Sequence, residues 1–219
     1  MCSPFDLDEL AIGHLYSRGI LASRDEIRTL SVCPDMRSVK VETMSGRGAL
    51  AEPEGIIASA CGSAGFRTLA PGFQPVLTDW RPALSELSSW AKSMFSGAEL
   101  YRRTGGMHAA ALASVREGVD YLAIREDVGR HNAVDKALGR ALFDGIDFSR
   151  SALLTSGRIA ADMVQKAATS RIPIIASRSI PTTEAFSIAT EAGITLVGRI
   201  AAQEPKIYTR SDRLADKGE

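Results

Sequence analysis

The feature that most constrains the fold is the alternation of short apolar runs and amphipathic stretches from Val119 onward. Apolar runs at Val119–Ile124, Ala152–Thr155, Ile172–Ala176 and Ile194–Gly198 read as buried strands, and Lys206–Thr209 as a last short one. Between them, Arg130–Phe143, Arg158–Ser170 and Thr182–Ala192 carry helical spacing. In the first of these, Ala133, Val134, Ala137, Leu138 and Ala141 share one face. Such alternation predicts an α/β fold: a parallel sheet with helices on both faces and right-handed crossovers. The alanine-rich Met107–Val115 reads as a further helix ahead of the first strand.

The first 80 residues have a different texture. Ser3-Pro4-Phe5-Asp6 predicts a helix start, with serine as N-cap and proline at N1. Leu7, Leu10, Ala11, His14 and Leu15 then follow at helical spacing up to Gly19, which makes His14 a packed core histidine. Ser38–Met44 alternates as a half-buried strand, and Gly55–Ala60 reads as another. Ala64–Asp79, with two glycines and two prolines, reads as a loop. Pro82 opens a helix with Leu84, Leu87, Trp90, Ala91, Met94 and Phe95 at core spacing, closed by Gly97. The expected organisation is an N-terminal α+β portion over residues 1–80 and an α/β domain over 81–219.

Lys plus Arg and Asp plus Glu number 26 each, so no global charge draws the chain to nucleic acid or an anionic membrane, and any anion site must be local. No apolar run is long enough to span a bilayer, and the N-terminus lacks the charged and apolar regions of a secretory signal. Three cysteines, Cys2, Cys33 and Cys61, are too few for a disulfide framework. A reduced, cytoplasmic protein is expected.

Chemistry concentrates where strands hand over to helices. Asp127, Arg130, His131, Asn132, Asp135 and Lys136 fall within ten residues at such a junction. Helix N-termini there offer unpaired N–H groups and partial positive charge. Ser156-Gly157-Arg158 and Ser177-Arg178-Ser179 follow the next strands. With the strands parallel, these loops share one sheet edge, and Arg130, Arg158 and Arg178 converge on a site suited to a phosphorylated ligand. Asp127 could then bond His131 or a guanine edge. Gly105-Gly106, with His108 in the first helical turn behind it, adds a candidate close approach of backbone to ligand. Cys61, between small residues in Ala60-Cys61-Gly62-Ser63-Ala64-Gly65, is an inert core thiol or an accessible nucleophile.

These blocks carry a resemblance. Glu126-Asp127-Val128-Gly129-Arg130-His131-Asn132 and its continuation resemble the motif of the formate dehydrogenase accessory sulfurtransferase family (FdhD/NarQ). The stretches starting at Thr104, Thr155, Ile172 and Gly193 are similar to its other blocks, in its order, and residues 1–20 to its first helix. The resemblance implies a three-layer, cytidine-deaminase-like α/β/α fold and a homodimer. It implies a protein that takes persulfide sulfur from a cysteine desulfurase on Cys61. The sulfur passes to the molybdenum cofactor of formate dehydrogenase, bound in its bis-molybdopterin guanine dinucleotide form. A GDP-like group would therefore be recognised. It also implies cofactor contact by the segment Arg199, Ile200, Ala201, Ala202, Gln203 and Glu204, although the family's usual glycine is missing there. Gly106, His108, Asp127, Arg130, His131, Ser156, Arg158, Ser177 and Arg178 complete the expected cofactor-binding set.

Two departures matter. The family loop runs Cys-Gly-x-Cys-Gly, whereas Ala64 stands where its second cysteine would be, so no Cys-x-x-Cys pair can form. The family also usually has more chain ahead of this N-terminus, so a truncated or short member is expected. The alternative function is a chaperone that holds the cofactor without moving sulfur. Zinc-dependent deamination is not encoded: Ala109 and Ala110 follow His108 where a general-base glutamate is needed, and no Pro-Cys-x-x-Cys exists, so no zinc is expected.

Overall fold

The computed structural model describes residues 1–36, 38–44, 69 and 73–216. Cys61, the Gly55–Ala60 strand and half of the loop read at 64–79 lie outside the described residues. In chain order the elements are α1 (Leu7–Ser17), β1 (Ile27–Val32), β2 (Val39–Thr43), α2 (Leu84–Gly97), α3 (Glu99–Thr104), β3 (His108–Arg116) and β4 (Val119–Asp127). They continue with α4 (Arg130–Phe143), β5 (Ser151–Thr155), α5 (Ala161–Thr169), β6 (Ile174–Ser177), α6 (Thr183–Ala192), β7 (Thr195–Gly198) and β8 (Lys206–Ile207).

β1 and β2 form an antiparallel pair of their own, and the six remaining strands form one sheet in the order β4-β3-β5-β6-β7-β8. β5, β6 and β7 are parallel, while β3 is antiparallel to both its neighbours and β8 to β7. The sheet is therefore mixed, not parallel as the alternation suggested. The reason is β3. Met107–Val115 is not a helix; its alanines form a strand buried on both faces. Ala110 and Leu112 pack toward α4, α5 and α6, and Ala111 and Ala113 toward α2. Alanine favours helix in isolation, but small side chains let two helical layers close on one strand, and tertiary burial overrides propensity. Glu117 and Gly118, both at positive φ, turn β3 into β4 as a two-residue hairpin.

The layering is α/β/α. α4, α5 and α6 cover one face around Val134, Leu138, Leu153 and Leu196; α2 covers the other with Leu87, Trp90 and Met94. The Trp90–Met94 stripe is core, as its spacing indicated. α1 packs across α4 and puts Ile12 into the larger core. A boundary at residue 80 thus does not follow the packing, because the first helix belongs to the body of the α/β domain.

Two details at the N-terminus differ from expectation. Ser3 does not cap α1; the residue before the helix is Asp6, in a left-handed conformation, and Ser3 instead donates its backbone N–H to Asp127 Oδ2 at 2.9 Å. His14 is half-buried rather than apolar-packed. Its Nδ1 lies 3.2 Å from the carboxylate of Asp135, which also accepts from Lys166 Nζ at 2.7 Å. A buried carboxylate needs such partners, and they recruit α1 and α5 to α4.

Candidate functional site

Because β3 is antiparallel to both β4 and β5, those two run the same way. The C-terminal ends of β4, β5, β6 and β7 therefore share one sheet edge with the first residue of β3, His108. Main-chain bonds stitch the loops there: Ser156 N donates to Ala109 O (2.9 Å), Arg178 N to Thr155 O (3.2 Å), and Ile200 N to Ser177 O (2.9 Å). The shared edge expected of a parallel sheet arises here from a reversed strand inserted within it. The three arginines do not meet there, because Arg130 lies beside His108 and Gly157 while Arg178 lines a separate cleft that neither Arg130 nor Arg158 lines.

On the α4 side of this edge lies a polar cluster. His131, in the first turn of α4, places Nε2 2.6 Å from Asp162 Oδ2 of α5. Burial pushes the Asp162 carboxyl up, but the hydrogen bond and charge of His131 pull it below its usual range. His108 Nδ1 lies 3.2 Å from Ser156 Oγ, which also accepts the Ala109 N–H at 3.0 Å. Burial, then the Arg130 charge, lowers the His108 pKa, favouring the neutral ring. The Arg130 side chain lies over Gly157, where an added Cβ would come within 3.0 Å of it.

On the α2 side is a cleft of about 500 Å³ lined by Lys92, Phe95, Arg178, Arg199, Ala201 and Ala202. Arg178 comes from the loop after β6 and Arg199 from the turn after β7, at φ 54°. Lys92 and Phe95 come from α2. Arg178 Nη1 donates to Tyr101 Oη at 2.8 Å, and its guanidinium carbon lies 5.7 Å from the Phe95 ring centroid. Three cations around an open hollow, with one aromatic face, suit a ligand carrying phosphate and a flat ring.

The expected residues separate by position. Arg178, Arg199, Ala201 and Ala202 line the cleft; His108, Arg130, His131 and Ser156 make the cluster beside α4. Arg158, Gln203 and Glu204 are exposed at the same edge without lining the cleft, and Gly106 is exposed in the turn entering β3. Three others point inward. Ser177 is buried and donates to Gly157 O at 2.5 Å, and Ile200 is 1% exposed. Asp127 is fully buried and bonded to Lys136 Nζ (2.8 Å), Ser3 N, Gly129 N and Asn132 Nδ2 (2.9 Å each), so it meets neither His131 nor a guanine edge. Burial raises its carboxyl, but these bonds, Lys136 first, bring it below its ordinary value. Cys2 and Cys33 are exposed free thiols.

Sequence reasoning missed Lys92 and Tyr101; Phe95, read at core spacing, packs against the smaller core and also lines the cleft. Phe95 and Lys92 border the buried face of α2, where the helical period alone does not separate core from cleft wall.

Comparison with known proteins bears on this arrangement. The FdhD/NarQ family model matches residues 1–215. The sulfur carrier protein FdhD of Methanothermobacter thermautotrophicus is 33% identical over 213 residues, covering 97% of this chain and 82% of its own. That of Streptomyces avermitilis is 36% identical over 236 residues, covering 98% and 82%. A crystal structure described as that of a formate dehydrogenase accessory protein from Desulfotalea psychrophila superposes with TM-score 0.75 at 30% identity, covering 98% of this chain and 81% of its own. Its motif blocks, its layered sheet and these similarities over nearly the whole of this chain agree: the chain belongs to the FdhD/NarQ family.

Proposed function

We propose that this protein is a sulfur carrier for formate dehydrogenase, with Cys61 as the carrying thiol. The observation that carries the reading is family membership over nearly the whole chain, among relatives named as sulfur carriers. The sulfur donor is a cysteine desulfurase persulfide. The Cys61 thiolate attacks the outer sulfur of that persulfide, a new S–S bond forms at Cys61, and the donor's S–S bond breaks. The donor leaves as a thiolate and takes up a proton, so sulfur moves without net oxidation or reduction. One thiol is sufficient for this exchange, which is compatible with Ala64 in place of a second cysteine.

The acceptor in this reading is the molybdenum cofactor of formate dehydrogenase, held as cargo in its guanine dinucleotide form. The cleft supports it: Lys92, Arg178 and Arg199 supply charge for a pyrophosphate, and Phe95 a surface for a base. The working form is a cytoplasmic homodimer. The test is complementation of a host lacking its own carrier. Wild type is expected to restore formate dehydrogenase activity and Cys61→Ala to abolish it. Full restoration by Cys61→Ala would favour the alternative, a cofactor-holding chaperone, to which the missing second cysteine also points.

A further inference from the structure

We infer that Tyr101 is a positioning residue of the cleft, holding the Arg178 guanidinium at its wall, and that Glu126 acts through Tyr101 by fixing α3. The inference rests on the reading that the cleft takes a phosphate-bearing ligand.

Arg178 sits on an exposed loop, and a free arginine side chain samples many rotamers that a bound anion must freeze out. Two contacts restrict it beforehand. Its Nη1 donates to Tyr101 Oη at 2.8 Å, and its guanidinium carbon lies over the Phe95 ring. Phe95 and Tyr101 support each other, with ring centroids 5.9 Å apart. The chemistry of the holder matters. A carboxylate in place of the phenol would neutralise the guanidinium and weaken its pull on phosphate. A neutral hydroxyl oxygen takes one of five N–H donors and leaves the charge whole. Among the described residues, no ion pair between Arg178 and a carboxylate is present.

Tyr101 itself needs an anchor. α3 has six residues and none is buried, so its length does not fix it and the Phe95–Tyr101 ring contact needs a second anchor. Its first turn is held by the Glu126 carboxylate, which accepts the N–H of Tyr101 at 2.5 Å and of Leu100 at 3.2 Å. Glu126 lies in β4 with its backbone paired to Ala109, so the sheet fixes the base of its side chain. The chain of support therefore runs from the sheet through one carboxylate to α3, then through one phenol to the cleft arginine.

The experiment is GDP binding by calorimetry at several salt concentrations, with inorganic pyrophosphate as a second probe. Tyr101→Phe is expected to weaken GDP by roughly three- to tenfold, the range of one hydrogen bond. Its salt dependence should match wild type, because no charge is lost. Arg178→Ala is expected to weaken GDP more and to flatten the salt dependence. In the Arg178→Ala background, Tyr101→Phe should cost nothing further. Glu126→Ala should reproduce Tyr101→Phe, and Glu126→Gln, which keeps an acceptor oxygen, should recover part of the loss. Wild-type GDP affinity in Tyr101→Phe, or an undiminished cost of it in the Arg178→Ala background, overturns the inference while leaving the cleft intact. Wild-type affinity in Arg178→Ala would remove the cleft reading and this one together.

Discussion

Gly13 and Gly139 meet backbone to backbone where α1 crosses α4. A Cβ on Gly13 would lie 1.8 Å from the carbonyl oxygen of Asp135, and one on Gly139 would lie 2.0 Å from that of Glu9. The first helix therefore sits directly on the helix that presents Arg130 and His131 at the sheet edge.

Gly13→Ala and Gly139→Ala should each destabilise the protein. Alanine gains up to about 1 kcal/mol of helix propensity over glycine, but the helices must separate. Overpacking of this kind costs about 1–3 kcal/mol, and more when backbone is the obstacle. Urea unfolding should show a lower midpoint for both variants, and a midpoint at or above wild type would contradict the close crossing.

Lys136→Met should be severely destabilising. It strands Asp127, fully buried, without its charged partner, and breaking such a pair typically costs about 3–5 kcal/mol. The same geometry makes Asp127 structural rather than ligand-binding. Asp127→Asn should lower the melting temperature, yet the folded fraction should bind GDP with wild-type affinity. A specific loss of GDP binding at unchanged stability would return Asp127 to the site.

How legible the chain was depends on what sets each element. Arg130–Phe143 was readable to the residue, because its apolar face repeats at helical period between a strand and Asp144. Thr182–Ala192 was nearly so, with Thr182 accepting the N–H of Ala185 as N-cap. The 107–115 segment was not, because alanine has little side chain with which to declare a period. Only strands on both its edges and helices on both its faces make it a strand. The loops after β4, β5 and β6 were found through composition and the segment after β7 only through the family resemblance, yet neither could say that Asp127 and Ser177 turn inward. The cleft needed α2 and α3 brought to the sheet edge, a long-range packing fact that placed Lys92 and Tyr101 beside Arg178.

Stability should fall on acidification in two stages. The folded-state pKa of His108 is lowered from its ordinary 6.5, so the unfolded chain binds a proton first. Its contribution is present above that value and is lost as pH falls toward the depressed one. Asp127, Asp135 and Asp162 are likewise lowered from 3.8, and their contribution is lost as pH falls below that value. Melting temperature against pH should therefore decline gently below 6.5 and steeply in the carboxylate range. His108→Gln should remove the first stage alone, and an unaltered profile in that variant would contradict the assignment.

Lys92→Ala should weaken GDP by about tenfold, as loss of one charge-assisted phosphate contact does. Lys92→Glu should weaken it further, and the difference should shrink in high salt. Calorimetry that found Lys92→Glu equal to wild type would place the anion elsewhere on the edge.

The most direct measurement is the intact mass of the protein after incubation with a cysteine desulfurase and cysteine. Wild type should gain the mass of one sulfur atom, lost again on reduction, and Cys61→Ser should gain none. Equal gain in both, or no gain in wild type, would contradict sulfur carriage by Cys61.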